Sequence, residues 1–290
     1  MRLRTATGRR RLAAIIGTSA VVAVGAAACG GGGTGAAPTA KTVRSAYTST
    51  TATKTAKTSL SAKLAANGQN RTQQGKGVVN FGNDRMDLSF QAQAGSYETR
   101  LVGDTLYQHL KRQAQAPQSK KASKSPWLKV NLPKIAKHKG GTQFVAAQQR
   151  SNPVHLLSYL EGTSGSVKKA GTQTISGTDA THYRATVDLN ALAGTPDHSK
   201  KLVSSLKKQV GGHTLPVDVW LDGNNRVVQQ RMVFPLGQSA SPSTGKKNKQ
   251  TANLTVTTRF YDYGSAADIT RPSGKVLDAT PIVLKRLGSG

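Results

Sequence analysis

Apolar and polar residues alternate with a period of two through most of the chain. The alternation is found in residues 60–66, 79–90, 96–110, 183–189, 217–221, 228–234 and 254–260. This period is typical of strands with one apolar face and one wet face. Turn signals such as Asn67-Gly68 and Gly103-Asp104 separate neighbouring segments. The pattern predicts an antiparallel sheet of about nine to eleven strands.

Helical spacing appears in three short places. Val43, Ala46 and Tyr47 predict a helix near the start of the exported part. Asn152-Pro153 and Thr195-Pro196 each combine a capping residue with a proline, so each predicts a helix start. Residues 265–290 are predicted as a tail. The order of elements indicates an α+β protein with one curved antiparallel sheet and short helices on one face.

The first 28 residues have the composition of a secretory signal. Residues 2–11 contain five arginines and no acidic residue, and residues 12–28 are almost all apolar or small. Three alanines precede Cys29, the single cysteine of the chain. This arrangement resembles the bacterial lipobox, which implies cleavage before Cys29 and a diacylglycerol on its thiol. An ordinary signal peptidase site beside a chance cysteine is the alternative.

The signal predicts three parts and a location. Residues 1–28 are the signal peptide, residues 29–40 a lipid-anchored Gly-rich tether, and residues 41–290 a single domain. Basic loops near 111–126 and 238–250 are predicted to be disordered, because such polar stretches bury little apolar surface. The protein is expected outside the cytoplasm, anchored to the outer face of the cell membrane. Both Sec and twin-arginine export are compatible with the arginines at positions 9–11.

Charge defines the class of partner. The chain has 41 Lys+Arg against 13 Asp+Glu, a formal net charge of +28. Such a charge attracts polyanions, and outside the cell these are anionic phospholipids and wall polymers. Solubility alone explains the charge equally well. Nucleic acid is not expected as a partner of an exported chain, and we expect a monomer.

No catalytic or metal-binding constellation is visible. The histidines, at positions 109, 138, 155, 182, 198 and 213, lack zinc-helix spacing, and we predict surface or turn positions for them. Ser204 and Lys207 match S-x-x-K without the K-T-G partner, which indicates a wet helix face. Asp218 and Asp222 are predicted on the wet face of a strand. We therefore expect no enzyme, no metal and no cofactor besides the acyl modification of Cys29.

The C-terminal third resembles a known family. The residues concerned are LPVDVWLD at 215–222, RVV at 226–228, FYDYG at 260–264 and ADIT at 267–270 with Pro272. With the Cys29 signal, they resemble actinobacterial lipoproteins of the LppX/LprG type, which are similar in fold to the LolA and LolB carriers. The resemblance implies a half-barrel whose concave face is covered by helices, with an apolar cavity for acyl chains between them.

The candidate cavity-lining residues are apolar or aromatic residues of the predicted strands. They are Met86, Leu88, Phe90, Tyr183, Met232, Phe234 and Phe260. Plain core packing is the alternative for each of them, because a cavity needs only a subset.

Three functions follow in decreasing order of support. The first is a membrane-anchored lipoprotein that binds a lipid or other hydrophobic ligand and carries it across the envelope. The second is an envelope interaction or sensor module, which binds a protein or anionic wall polymer and has no ligand cavity. The third is an exported hydrolase.

Overall fold

The structure is a computed structural model, and part of the chain is described in it. The described residues are 39–66, 68–92, 95–112, 126–193, 195, 198–236 and 252–288. The predicted signal peptide, Cys29 and most of the predicted tether lie outside these residues. So do nearly all of the two predicted basic loops, although 111–112 and 126 are described and 111–112 belong to a strand.

Twelve strands form one sheet in the described part of the chain. They are β1 (Thr55–Ala66), β2 (Gln69–Asn80), β3 (Arg85–Ala92), β4 (Gly95–Val102), β5 (Thr105–Arg112), β6 (Trp127–Asn131), β7 (Thr163–Ile175), β8 (Thr178–Asp188), β9 (Thr214–Leu221), β10 (Val227–Leu236), β11 (Ala252–Tyr261) and β12 (Val276–Asp278). Their order across the sheet is β12-β6-β5-β4-β3-β2-β1-β11-β10-β9-β8-β7. All neighbours are antiparallel except β12 and β6, which are parallel.

The sheet consists of two runs of consecutive strands that meet at β1. One run leads from β2 to β6 and the other from β7 to β11, and β1 lies between β2 and β11. Leu60 is opposite Gly75 on one side and Thr258 on the other. The sheet is open, with β12 and β7 at its edges, so the predicted single antiparallel sheet is confirmed.

Among the described residues, seven α-helices accompany the sheet. They are α1 (Ala40–Thr51), α2 (Leu132–Lys137), α3 (Gly141–Gln149), α4 (Pro153–Ser158), α5 (Leu189–Leu192), α6 (Lys200–Val210) and α7 (Thr280–Gly288). Helices α1 to α6 bury apolar side chains in the same core cluster as the alternate residues of the strands. That shared core places them on one face of the sheet. None of the described helices is both long enough and apolar enough to cross a bilayer.

Two glycines allow β3 to approach β2 closely. A side chain at Gly77 would place its Cβ 1.8 Å from the backbone oxygen of Asp87, and one at Gly75 would meet the Phe90 ring at 2.6 Å. Phe90 therefore packs directly over the backbone of β2, and its ring also stacks on Tyr97 with centroids 4.9 Å apart. Glycine in a strand interior often marks such a close approach.

A register shift between β9 and β10 is sealed by side chains from two other elements. The shift lies between Val227 and Gln229. The Thr50 hydroxyl at the end of α1 accepts a hydrogen bond from the Val227 amide at 2.9 Å, and the Tyr263 hydroxyl donates to the Val227 carbonyl at 2.6 Å. Buried backbone groups that leave a strand ladder need such partners. These bonds tie α1 and the end of β11 to the centre of the sheet.

Several predicted boundaries are wrong. The helix predicted to begin at Thr195-Pro196 begins at Lys200, because Ser199 caps it by accepting a hydrogen bond from the Leu202 amide. The predicted tail contains β12 and α7. Helices α2 and α3 were not predicted, although Asn131 and Pro133 start α2 in the way Asn152 and Pro153 start α4. The strand count is one above the predicted range.

Candidate functional site

A cavity of about 410 Å³ lies between strands β3 to β5 and helices α2 to α4. Its volume is within the usual range of small-molecule sites, about 300–1,000 Å³. The strands form its floor and the helices its roof. The cavity therefore depends on α2 and α3, two elements that the alternation pattern does not reveal.

One wall of the cavity is apolar. Its side chains come from both the sheet and the helices: Met86, Leu101, Leu106, Leu132, Pro133, Ala136, Val145 and Val154. Met86 and Leu106 alternate with outward-facing residues along their strands, and both are buried. This wall offers a ligand only dispersion contacts and the removal of apolar surface from water.

The polar residues of the cavity lining are supplied by α3, by α4 and by the residue that caps α4. They are Gln148, Gln149, Asn152, His155 and Ser158. Asn152 caps α4, since its side-chain oxygen accepts a hydrogen bond from the Val154 amide at 3.0 Å. The short helix α4 thus presents a series of polar side chains to the cavity while its apolar residues Leu156 and Leu157 are buried in the core.

His155, one of these polar lining residues, is neutral. Burial, and secondly the neighbouring His198, lower the pKa of His155 to about 3. Its ring lies 4.6 Å from the His198 ring and meets Tyr159 edge-on at 5.6 Å, both as centroid distances. A neutral imidazole has one donor and one acceptor nitrogen, so it can hydrogen-bond a polar ligand group without carrying charge.

Ser158 and His198 are in contact behind the cavity. The Ser158 hydroxyl donates to the His155 carbonyl oxygen at 2.8 Å, and Nε2 of His198 lies 2.8 Å from the same hydroxyl oxygen. The Ser158 hydroxyl is thus in hydrogen-bond distance of both the His155 carbonyl and the His198 ring. The pair therefore joins α4 to the loop before α6.

The cavity carries the opposite sign of charge to the whole chain. Asp84 and Asp104 line it, whereas no lysine or arginine does so in the part of the chain that the structure describes. In a protein of net charge +28, the charged lining groups among the described residues are therefore two carboxylates, both of them exposed. Carboxylates at a pocket repel anionic ligands and attract cationic ones.

The predicted lining residues are divided between the cavity and the core. Met86 lines the cavity. Leu88, Phe90, Met232, Phe234 and Phe260 are buried in the core cluster, and Tyr183 packs against it half-buried. The structure therefore brings these residues into one core, and contact of the other six with a ligand stays a prediction.

Two polar predictions are wrong in position. His155 is neither a surface nor a turn residue, because it is half-buried on α4 and lines the cavity. His198 lies in a turn as predicted, but it is buried. Asp222 does not face water, since its carboxylate accepts from the Asn224 and Arg226 amides and from the Arg226 guanidinium. The sequence signal for this role is the turn itself, because aspartate commonly bonds the backbone of the turn that it opens.

The sheet face opposite the helices carries ion pairs and stacked rings. His182 stacks on Trp220 at a centroid distance of 4.1 Å, and its Nε2 lies 2.7 Å from the Asp218 carboxylate. Across the sheet, Arg100 pairs with both Asp87 and Glu98 at 2.7 Å. Within the described residues, no three histidine, cysteine, aspartate or glutamate side chains are grouped as metal ligands would be.

Comparison with known sequences gives one distant relative. No family model matches the chain. An uncharacterized 31.2 kDa protein from the rplA-rplJ intergenic region of Streptomyces griseus is 27% identical over 153 residues, which are 51% of this chain and 46% of the relative. The chain thus spans about half the length of that relative.

Comparison with solved structures gives similar folds at low sequence identity. Lipoprotein LppX of Mycobacterium tuberculosis is 10% identical with a TM-score of 0.46, over 80% of this chain and 97% of LppX. LprF from Mycobacterium bovis is 12% identical with a TM-score of 0.35, over 81% and 97%. A LolA superfamily protein from Nitrosomonas europaea is 9% identical with a TM-score of 0.30, over 81% and 99%.

Proposed function

We propose that the protein is a cell-envelope lipoprotein that binds a lipid or another amphiphilic molecule between its sheet and helices. In this proposal, residues 1–28 direct export, acyl chains on Cys29 hold the protein at the outer face of the membrane, and the domain carries its ligand across the envelope. The protein acts by binding and release, without covalent chemistry on the ligand.

The observation that carries the proposal is a cavity that combines an apolar lining from the sheet and helices with polar residues from α3 and α4. Met86, Leu106 and Val145 form part of a surface that an acyl chain would cover. The side chains of Asn152 and His155 can supply the hydrogen bonds that a headgroup or ester needs. Sites for small ligands commonly combine an apolar lining with a few polar groups that fix orientation.

The charge of the cavity narrows the class of ligand. Asp84 and Asp104 contribute carboxylates to the lining, and His155 is neutral. A fatty-acid carboxylate or a phosphate group would lose its water beside carboxylates, and the described lining offers no lysine or arginine to pair with it. We therefore propose that a neutral or cationic headgroup is preferred to an anionic one.

Filling the cavity is expected to remove ligand binding. Ala136 on α2 lines the cavity, so phenylalanine at this position, written Ala136→Phe, would place a ring in the space that the ligand needs. We expect at least about a tenfold fall in ligand occupancy, because a built-in clash opposes binding directly. Native mass spectrometry of the full chain after incubation with envelope lipid extract measures the occupancy as adducts that disappear on denaturation.

The matched control is Ala147→Phe. Ala147 lies on α3 and is exposed, so the same substitution there leaves the cavity open. It should bind ligand like the unchanged protein. Equal adducts in Ala136→Phe and Ala147→Phe would show that the ligand lies elsewhere, and no adduct in the unchanged protein would contradict the proposal itself.

Cys29 is expected to carry the anchor. The change Cys29→Ser should abolish the covalent mass added by acyl chains and move the protein from the membrane fraction to the soluble fraction, because the thiol is the attachment point. One acyl chain gives only marginal membrane binding, and two give stable anchoring. Denaturing intact-mass analysis and cell fractionation measure the two effects. Unchanged membrane retention of Cys29→Ser would assign the anchor to another segment.

A further inference from the structure

A polar trough of about 680 Å³ crosses the sheet face opposite the helices. It spans the neighbouring strands β3, β2, β1 and β11, at the junction of the two runs of strands. The side chains that open onto it are hydroxyls, amides and two cations: Ser59, Ser61, Gln74, Lys76, Ser89, Gln91, Thr257 and Arg259. The backbone of Leu60 and Gly75 also contributes, since the Leu60 side chain is buried in the core on the other face.

Short side chains form the floor of the trough and long ones its rim. Ser59, Ser61 and Thr257 are half-buried, whereas Lys76 and Arg259 are exposed. These three half-buried hydroxyls come from the adjacent strands β1 and β11, and a fourth hydroxyl, Ser89 on β3, lies at the other side of the group. A chain-like ligand could therefore lie over the hydroxyls with the longer side chains beside it.

The two cations are placed in one row across three strands. Ser59 is opposite Lys76 on one side and opposite Arg259 on the other. Neighbouring strands lie about 4.7–4.9 Å apart, so the two cationic residues start about 10 Å from each other with a hydroxyl between them. This row offers a cation, a hydroxyl and a second cation in succession.

Both cations are available to an anion. No carboxylate of the described residues forms an ion pair with Lys76 or Arg259. The Arg259 Nε donates to the Gln229 side chain at 2.7 Å, which orients the guanidinium without neutralising it. The trough therefore presents two cations that form no ion pair with the described residues, while the nearby carboxylates of Asp87 and Glu98 pair with Arg100.

The lining also excludes several classes of partner. Among the described residues, no aromatic side chain lines the trough, so this lining has no platform for stacking pyranose rings or bases. Without an apolar or aromatic anchor it lacks the hot spot typical of protein interfaces. A ligand held only by hydroxyls, amides and separated cations needs many hydroxyl or ether oxygens and regularly spaced negative charges.

We propose that this trough binds a linear polyol chain linked by phosphates. Lys76 and Arg259 would each bind a phosphate, and the serine and threonine hydroxyls would hydrogen-bond the intervening polyol. The trough lies on the opposite face of the sheet from the helices and the cavity, so the two sites are independent. A lipid bound in the cavity and a wall polymer bound in the trough would occupy the same protein at once.

The test uses the full chain and a synthetic poly(glycerol phosphate) as the probe. We expect saturable binding whose affinity falls as salt rises, because phosphate contacts release counterions. The variant Lys76→Gln/Arg259→Gln should bind at least about tenfold more weakly, as expected for lost charge-assisted hydrogen bonds, and should show a weaker salt dependence. The matched control Lys200→Gln/Lys208→Gln removes the same charge from exposed positions on α6 and should retain the affinity.

A second variant separates shape from charge. Ser61→Phe fills the floor between Gln74 and Thr257 and leaves the charge unchanged. We expect it to lose binding as the double variant does, with circular dichroism confirming the fold of each protein. The proposal would be overturned if the unchanged chain did not bind the polymer, or if the α6 control lost as much affinity as Lys76→Gln/Arg259→Gln. Full binding by Ser61→Phe would also overturn it. So would phosphatidylglycerol vesicles that compete for the trough as well as the polymer does.

Discussion

Replacing Phe234 with alanine is expected to lower the free energy of unfolding by about 3–5 kcal/mol. Phe234 on β10 is completely buried, and its ring meets Tyr159 edge-on at a centroid distance of 5.9 Å. Removing the ring loses its transfer free energy and leaves a cavity that the rigid sheet cannot close. Denaturant unfolding measured by circular dichroism gives the loss as a shift of the midpoint.

The control for Phe234→Ala is Phe144→Ala. Phe144 on α3 is only half-buried, so its removal should cost clearly less. Phe234 is also one of the predicted ligand-lining residues, and it does not line the cavity. Ligand occupancy of the folded fraction should therefore stay unchanged in Phe234→Ala. A small stability loss together with lost ligand would instead identify Phe234 as a lining residue.

Stability is expected to fall with acidification because of His155. Its pKa is lowered from 6.5 to about 3 in the folded protein. Above pH 6.5 the ring is neutral in both states and contributes no pH dependence. Below pH 6.5 the unfolded chain takes up a proton that the folded chain does not, so stability is lost as the pH falls toward 3, at up to about 1.4 kcal/mol per pH unit.

The variant His155→Gln isolates this contribution. Glutamine does not titrate, so the fall in unfolding free energy between pH 6.5 and 4 should be smaller in the variant than in the unchanged protein. The control Gln148→Asn changes a neighbouring residue of the same polar lining that does not titrate, and it should leave the pH dependence as it is. Chemical denaturation at a series of pH values measures the slopes, and identical slopes in His155→Gln and the unchanged protein would contradict the assignment.

The sheet could be predicted from sequence because its strands carry a strong local signal. Residues 86–90 and 183–188 alternate strictly, and both lie in strands. The start of α4 could also be predicted, since Asn152 and Pro153 combine two independent helix-start preferences. Turns with glycine or aspartate separated most strands correctly, and so the antiparallel order followed.

The cavity could not be predicted from sequence because it depends on the placement of helices that lack a clear periodic stripe. Helix α3 buries Val145 and Ala146 but also Thr142, so its apolar face is weak. Helix α2 is only one and a half turns long. The strand residues that contact these helices are determined by long-range packing, which local sequence patterns do not encode. Alternation identifies the inner face of β3, but it cannot tell Met86 at the cavity from Leu88 in the solid core.

The position of β1 has a consequence for how the chain folds. Lys57 pairs with Tyr261 and Ala65 with Asn253, so the two halves of the sheet are joined by residues about 190–200 positions apart in sequence. Each half can form from local hairpins, but their union must close a very long loop. We infer that this pairing is a late, slow step, and that until it is complete β1 and β11 present open edges to which other chains can add.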